Sequence, residues 1–320
     1  MPGTARPIVT GIGTAVHGLS GAAELLGARG RGIAFDATTA LSGRDMRNKD
    51  RGSRLAIRAA EAALSDAGLL DESGYAGSPD TTAVIVSSNL GNLGSVCELT
   101  DTIAAETAIG LNPLRLPETA CSVMAAWVAI RFGLRGPNLT ICNGTTSGLD
   151  ALFWARNMIA AGRAHTVVVV GVEPTNDAVR GILGADSVDG AAALVLEPAE
   201  AAADRGVHDR VATVTAYGHA PDTAAAIKAT GLRENQDVRL WLTERPEHGQ
   251  GRVLSIEQRL GRCSGALGVL QCAAAVAYLN SGGSGPVLAI AGGADEPASV
   301  VVLDTEHSVP HRKGHNHAGQ

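Results

Sequence analysis

Two short turns built from small residues constrain this chain more than any other feature. Gly144-Thr145-Thr146-Ser147-Gly148 follows the strand-like run Leu139 to Cys142 and opens onto a helical run, Gly148 to Ala161. Gly261-Arg262-Cys263-Ser264-Gly265 opens onto a second helical run, Gly265 to Leu279. The strand-like runs around the two turns follow a similar order. The first half offers Ile8 to Gly13, Thr82 to Ser87, Leu139 to Cys142, Thr166 to Val172 and Ala191 to Leu196. The second offers Arg210 to Tyr217, Val238 to Thr243, Arg252 to Ile256, Pro286 to Ala291 and Val300 to Leu303. Helices are expected at Arg51 to Leu69, Glu118 to Phe132 and Thr223 to Thr230. Apolar strands alternating with helices imply an α/β fold with mostly parallel sheets covered on both faces. Two such βαβ halves of similar order imply an internal duplication. The halves divide at the loop Glu197 to Gly206, into residues 1–205 and 206–304. Residues 305–320, with four histidines but no regular ligand spacing, read as a solvated tail rather than a metal site.

The chain has 320 residues, 45% of them hydrophobic, which is enough for one large core or two fused ones. Only 3% are aromatic while 40 are glycine, so the core must be built from Ala, Val, Leu and Gly with close backbone approach. A formal net charge of −6 gives no electrostatic case for nucleic acid. Five cysteines, none in a C-x-x-C pair, argue against a disulfide framework and structural zinc and favour a reducing cytoplasm. No run of 18 or more apolar residues suggests a membrane span. The glycine-rich stretches are not nucleotide loops: "GIGTAVHG" from Gly11 does not close as G-x-G-x-x-G, and "GNLGS" and "NSGGSG" lack a following lysine. No cofactor or metal is expected.

A turn between a buried strand and a helix N-terminus is where an α/β enzyme holds a nucleophile, because backbone N–H groups there stabilise developing negative charge. Here the turn carries Thr145, and Cys142 lies three residues too early. Cys121 sits in a helical run and reads as a buried structural cysteine. Cys142 reads as a core cysteine inside its strand, and Cys263 and Cys272 as packing residues. Trp127 and Trp154 read as buried packing groups.

Four stretches together resemble the β-ketoacyl synthases of the thiolase superfamily. "RGPNLTICNGTTSGLDAL" resembles the segment around that family's nucleophile. "PIVTGIG" resembles its opening strand, "MRNKDRGSRLAIRAAEAALSDAGL" its basic-Asp-Arg helix, and "GRCSGALGVLQCAAAV" its later Gly-His-x-x-Gly-Ala-x-Gly helix. The resemblance runs from about Pro7 to about Leu303 and implies a thiolase-like fold, two duplicated halves in an α-β-α-β-α layering. It departs from the family where chemistry is done. The nucleophilic cysteine falls on Thr145 and one histidine on Arg262. No His-Gly-Thr-Gly-Thr loop exists; its place reads Glu244-Arg245-Pro246-Glu247-His248.

Condensation needs a thiolate to carry the acyl chain and donors to stabilise the enolate left when malonyl-thioester loses carbon dioxide. A threonine hydroxyl is a far weaker nucleophile, and arginine does not exchange a proton near neutral pH. Within the family the pattern resembles the chain length factors of type II polyketide synthases, here departing by Thr145 where many aromatic-polyketide members have glutamine. That resemblance implies a non-catalytic cytoplasmic subunit in a heterodimer with an active ketosynthase, serving an acyl carrier protein in antibiotic-type biosynthesis. The departure at Thr145 and the short chain lean toward reduced or polyene products. The resemblance also implies a dimer seam at Asn138, Leu139, Thr140, Ile141 and Cys142, and a tunnel lining at Leu93, Val96, Cys97 and Thr100. Two other readings stay open: an acyltransferase or hydrolase using Cys121, Cys142 or Thr145 on acyl-thioesters, and a docking scaffold alone.

Overall fold

The computed structural model describes residues 7–28, 32–209, 212–233, 237–248 and 251–305. The expected tail beyond residue 305 lies outside them. In the first half, β1 (Pro7–Val16) leads through α1 (Ala37–Ala40) to α2 (Arg51–Asp66). A small hairpin, β2 (Leu70–Asp71) and β3 (Gly74–Tyr75), precedes β4 (Thr82–Ser87). Then come α3 (Leu93–Glu106), α4 (Val123–Phe132), β5 (Asn138–Ile141), α5 (Ser147–Ala160), β6 (Thr166–Glu173), α6 (Asp177–Leu183) and β7 (Gly190–Pro198). The first half ends with α7 (Ala199–Asp204), and the second holds β8 (Ala212–Ala220), α8 (Thr223–Ala229), β9 (Leu240–Leu242) and β10 (Val253–Leu254). It closes with α9 (Glu257–Leu260), α10 (Leu267–Asn280), β11 (Val287–Gly293) and β12 (Glu296–Thr305).

The duplication is written in the strand order. The large sheet runs β10-β9-β11-β12-β8-β1-β7-β6-β4-β5. Reading outward from its middle gives β1-β7-β6-β4-β5 on one side and β8-β12-β11-β9-β10 on the other, the same connectivity twice. The halves meet where Ile8 pairs with Thr213. Each half mixes directions: β4 is parallel to β5 and β6, while β7 is antiparallel to β6 and β1. The second half repeats this with β9, β10, β11, β12 and β8. The expectation of mostly parallel sheets is corrected accordingly. An unbroken apolar run such as TVVVVGVE reports burial on both faces, and all eight residues of β6 are buried. It says nothing about strand direction, which the connections decide.

Three apolar clusters fill the layers. One lies between the halves and is built on α5 and α10 with inward residues of both. A second packs α2 and α4 on the first half, and a third packs α8 on the second. The result is the expected α-β-α-β-α sequence of layers. Twelve of the fourteen residues of α10 are buried, so this helix is apolar all round. It crosses α5 at a glycine contact. A Cβ on Gly148 would lie 2.7 Å from the Gly268 nitrogen, and one on Gly268 would lie 2.4 Å from the Leu149 nitrogen. The abundance of small residues is what lets two central helices touch back to back.

Several boundaries differ from the sequence reading. The helix expected from Glu118 starts at Val123, because Pro113–Thr119 winds as a 3-10 turn around Pro117. The loop expected at Glu197 to Gly206 contains the short helix α7. Helix α3 was not anticipated. No helix among the described residues is long and apolar enough to cross a membrane.

Candidate functional site

The two small-residue turns come together at the head of the central helices. Gly144–Thr146 forms a 3-10 turn entered with Gly144 at φ +86, and Ser264–Ala266 forms its counterpart before α10. One side chain stitches them. Asn89, just beyond β4, donates from Nδ2 to the Gly144 carbonyl at 2.9 Å and to Ser264 Oγ at 3.0 Å. Its Oδ1 accepts from the Gly144 N–H at 3.2 Å and lies 3.0 Å from Ser147 Oγ. Ser264 is itself held at φ +44, a conformation that costs a non-glycine residue free energy and persists only where its surroundings fix it.

Two buried carboxylates support this lattice. Glu173 ends β6, fully buried. Its Oε1 accepts from the backbone N–H groups of Asn89 at 2.5 Å, Leu90 at 3.3 Å and Gly265 at 3.2 Å. Burial outweighs these donors and pushes its carboxyl up to about 7. Asp150, one turn into α5, accepts four side-chain donors. Asn143 Nδ2 (2.5 Å) and Thr146 Oγ1 (2.9 Å) come from the first half. Tyr217 OH (2.7 Å) and Ser299 Oγ (2.6 Å) come from the second. Tyr217 stacks on Phe153 with ring centroids 4.4 Å apart, and burial, then Asp150, drive its hydroxyl pKa upward.

Thr145 sits half-buried at the tip of its turn, and its hydroxyl has no hydrogen-bond partner among the described residues. Arg262 is exposed. Among the described residues its backbone alone is engaged, donating to Asp186 O at 2.7 Å and accepting from the Val188 N–H at 2.9 Å. Glu244 accepts the N–H groups of Ile256 at 3.0 Å and Glu257 at 3.2 Å and the Ser255 hydroxyl, so its carboxylate closes a loop. Pro246–His248 is a short 3-10 turn.

The cysteines divide differently from expectation. Cys263 and Cys272 are buried, and burial raises both thiol pKa values. Cys121 and Cys142 are exposed rather than core residues. The reason is positional: Cys121 occupies the turn before α4, and Cys142 is the first residue past β5. Burial first, then the neighbouring Cys121 and Glu173, push the Cys142 thiol up to about 11. Trp154 is also corrected, being 46% exposed on α5. Trp127 is half-buried, donating to Glu118 at 2.8 Å beneath the Lys49 ammonium.

Leu93, Val96, Cys97 and Thr100 fall at i, i+3, i+4 and i+7 of α3 and share one helix face. None of the four is buried. A cavity of about 270 Å³ lies on the other side of α3, lined among others by Ser95, Leu99, Thr102, Leu111 and Leu116. At the sheet's end, β5 leaves one edge unpaired among the described residues. Asn138 and Cys142 there are exposed, while Leu139, Thr140 and Ile141 are half-buried. Ile130 (67% exposed) and Trp154 are exposed on α4 and α5, the two helices that contact β5.

Residues 33–186 match the family described as "Beta-ketoacyl synthase, N-terminal domain". That match takes in a little under half of the chain, and over those residues the chain is similar to the ketosynthases. Among curated relatives, the 3-oxoacyl-[acyl-carrier-protein] synthase 2 of Vibrio harveyi is 31% identical over 140 residues, 43% of this chain and 33% of that protein. A Streptomyces violaceoruber protein, named by provisional assignment granaticin polyketide β-ketoacyl synthase 1, is 30% identical over 258 residues, 64% of this chain and 61% of its own. The first of these alignments spans only about a third of the relative's length. Among solved structures, the ishigamide ketosynthase/chain length factor superposes with TM-score 0.74 at 23% identity, covering 94% of this chain and 99% of that one. A type II polyketide synthase ketosynthase, AntDE, bound to the hexaketide and in complex with its acyl-carrier protein AntF, superposes with TM-score 0.79 at 17% identity, with the same coverage.

Proposed function

We propose that this chain is a non-catalytic, chain-length-factor-like subunit of a type II polyketide synthase. It pairs with an active ketosynthase and shapes the tunnel in which that partner extends a chain delivered by an acyl carrier protein. The observation that carries the reading is Thr145. At the nucleophile's position stands a hydroxyl with no base bonded to it, and an unassisted hydroxyl does not take an acyl group at useful rates. The exposed Arg262 and the loop-closing Glu244 support the same reading, because neither stands as a neutral donor aimed at a developing enolate. The free edge of β5, with exposed Ile130 and Trp154 on the helices that contact it, supports a seam through residues 138–142. A partner strand there would satisfy the edge and cover both apolar groups.

The test is intact-mass measurement after incubation with an acyl-loaded carrier protein, for this chain alone and co-purified with a ketosynthase that keeps its cysteine. The expected result is an adduct on the partner and none on this chain. The exposure of Cys142 and Cys121 favours a second reading, acyl transfer through a thiol. An adduct on this chain would establish that reading and end the first.

Tunnel shaping is tested separately. Val96→Trp adds bulk to the α3 face that carries Leu93, Cys97 and Thr100. Overpacking costs about 1–3 kcal/mol, which is roughly a 5- to 150-fold bias toward shorter products. Product lengths read by mass spectrometry that stay unchanged would instead support a docking scaffold.

A further inference from the structure

The starts of α2 and α3 line a common cavity of about 350 Å³, whose wall also includes Pro174 and Asn176. Four of its lining residues are cations, and two of those are neutralised. Arg51 forks onto Asp189, Nε to Oδ1 at 2.7 Å and Nη2 to Oδ2 at 2.5 Å. Arg115 pairs with Glu98. Lys49 and Arg54 are held by carbonyl oxygens instead. Lys49 Nζ donates to Asp45 O at 2.7 Å, and Arg54 donates from Nε to Lys49 O at 2.7 Å and from Nη1 to Leu41 O at 3.3 Å. Carbonyls fix the two side chains without cancelling their charge, and Arg54 Nη2 has no partner among the described residues. One carboxylate, Asp50, lines the cavity beside them, its Oδ1 committed to the Ser53 N–H at 2.6 Å. Three neutral donors join the cations. The N–H groups of Gly94 and Ser95, in the first turn of α3, have no acceptor among the described residues. Asn176 accepts the Val179 N–H through Oδ1 at 3.0 Å, which leaves its Nδ2 without a partner there. Gly94 is what admits that amide, because a Cβ on it would lie 2.8 Å from Nδ2.

We propose that this cavity binds a phosphate dianion, free or as a monoester, between α2 and α3. A tetrahedral group offers acceptor oxygens in several directions, which suits donors arriving from two helices and from Asn176. Arg54 Nη2 and Lys49 Nζ supply the positive charge, and the Gly94 and Ser95 N–H groups with Asn176 Nδ2 supply uncharged bonds. A carboxylate, with two oxygens in one plane, leaves part of that set unused. The chain carries a formal net charge of −6, so attraction of an anion is local to such a cavity rather than general. Bound phosphate would tie the first turn of α3, a helix with no buried residue, to α2. The chain-length role does not depend on this site, and either stands without the other.

The experiment is calorimetric titration of the full chain at low chloride, with inorganic phosphate in one arm, glycerol phosphate in a second and acetate in a third. Saturable binding of phosphate or its ester is expected, with acetate about tenfold weaker or more. Whichever of the first two binds tighter identifies the source of the group. Gly94→Ala should weaken binding about tenfold, because its methyl displaces the Asn176 amide, while alanine's better helix propensity keeps α3 formed. Arg54→Gln should weaken it by at least as much. Arg135→Gln, which removes an exposed cation paired with Asp80 outside the cavity, should leave it unchanged. In hydrogen exchange read by mass spectrometry, phosphate should slow the peptide that carries the Gly94 and Ser95 amides. No saturable binding by the parent chain, equal binding of acetate, parent affinity in Gly94→Ala, or the same loss in Arg135→Gln as in Arg54→Gln would each overturn the proposal.

Discussion

Replacing Asp150 with alanine is expected to lower the unfolding free energy by about 1–3 kcal/mol. The size of the loss is set by which donors water can rescue. Asp150 accepts from Asn143, Thr146, Tyr217 and Ser299. Asn143 is exposed and Tyr217 half-buried, so water replaces the lost carboxylate for them. Thr146 is 5% exposed, so its hydroxyl is stranded, whereas the fully buried Ser299 hydroxyl still reaches His219 Nδ1 at 3.0 Å. Each stranded donor costs about 1–3 kcal/mol. Asp150→Asn should cost less, under about 1 kcal/mol. Its Oδ1 still accepts from Tyr217 and Ser299, while the Thr146 hydroxyl rotates to accept and the exposed Asn143 amide turns to offer its oxygen. Denaturant midpoints at unchanged slope provide the readout. Equal losses for the two variants would mean that the negative charge, rather than the satisfied hydroxyls, carries the stability. A loss under 1 kcal/mol for alanine would mean that the network does not hold the halves together.

That network also shows what a sequence does and does not expose. β4 occupies Thr82–Ser87 as expected, and β6 and α5 lie within a residue or two of their anticipated bounds. Apolar periodicity reports burial, and these elements are buried. Helix α3 was missed for the converse reason. It has no buried residue, so its apolar positions are not arranged toward a core of this chain, and the helical stripe is faint. Cys142 was misplaced by one residue of strand length, which separates a core thiol from an exposed one. Asp150 and Glu173 did leave a signal, a single acid within an apolar helix and another ending a run of valines; buried charges of that kind hold something together. Asn89 left none. Its partners lie 55 and 175 residues away, and only the closed fold brings the two turns to it. The residues that resemblance marked, Thr145 and Arg262, were legible as substitutions. What the structure adds is that neither has acquired a hydrogen-bonded or ion-paired side-chain partner among the described residues.

The second large effect concerns Glu173 and pH. Its carboxyl is pushed from an ordinary 4.5 up to about 7 when folded, chiefly by burial. An acid with a raised folded pKa holds its proton more tightly in the folded state. Below about pH 4.5 it is protonated in both states, and its contribution is complete. As pH rises the unfolded chain releases the proton first, so stability falls until about pH 7 and then levels off. At 1.36 kcal/mol per pKa unit the fall is about 3 kcal/mol. Asp50 is pushed up to about 6, again mainly by burial, and titrates in the same window. The measurement is therefore the difference between the parent chain and Glu173→Gln, which leaves Asp50 common to both. Glutamine places its oxygen where Oε1 accepts from Asn89, Leu90 and Gly265, so those contacts survive without the charge, and only the second contact of the Leu90 N–H, at 3.2 Å to Oε2, is lost. Relative to the variant, the parent chain should lose about 3 kcal/mol between pH 4.5 and 7.5. A flat difference would show that the three N–H groups offset burial and keep Glu173 ionised throughout. The outcome bears on the site as well, because the residue that titrates also fixes Asn89 and the entrance to α10. If Glu173 protonates near neutrality, the clamp across the Thr145 turn rests on a neutral carboxyl below that pH and on a charged one above it.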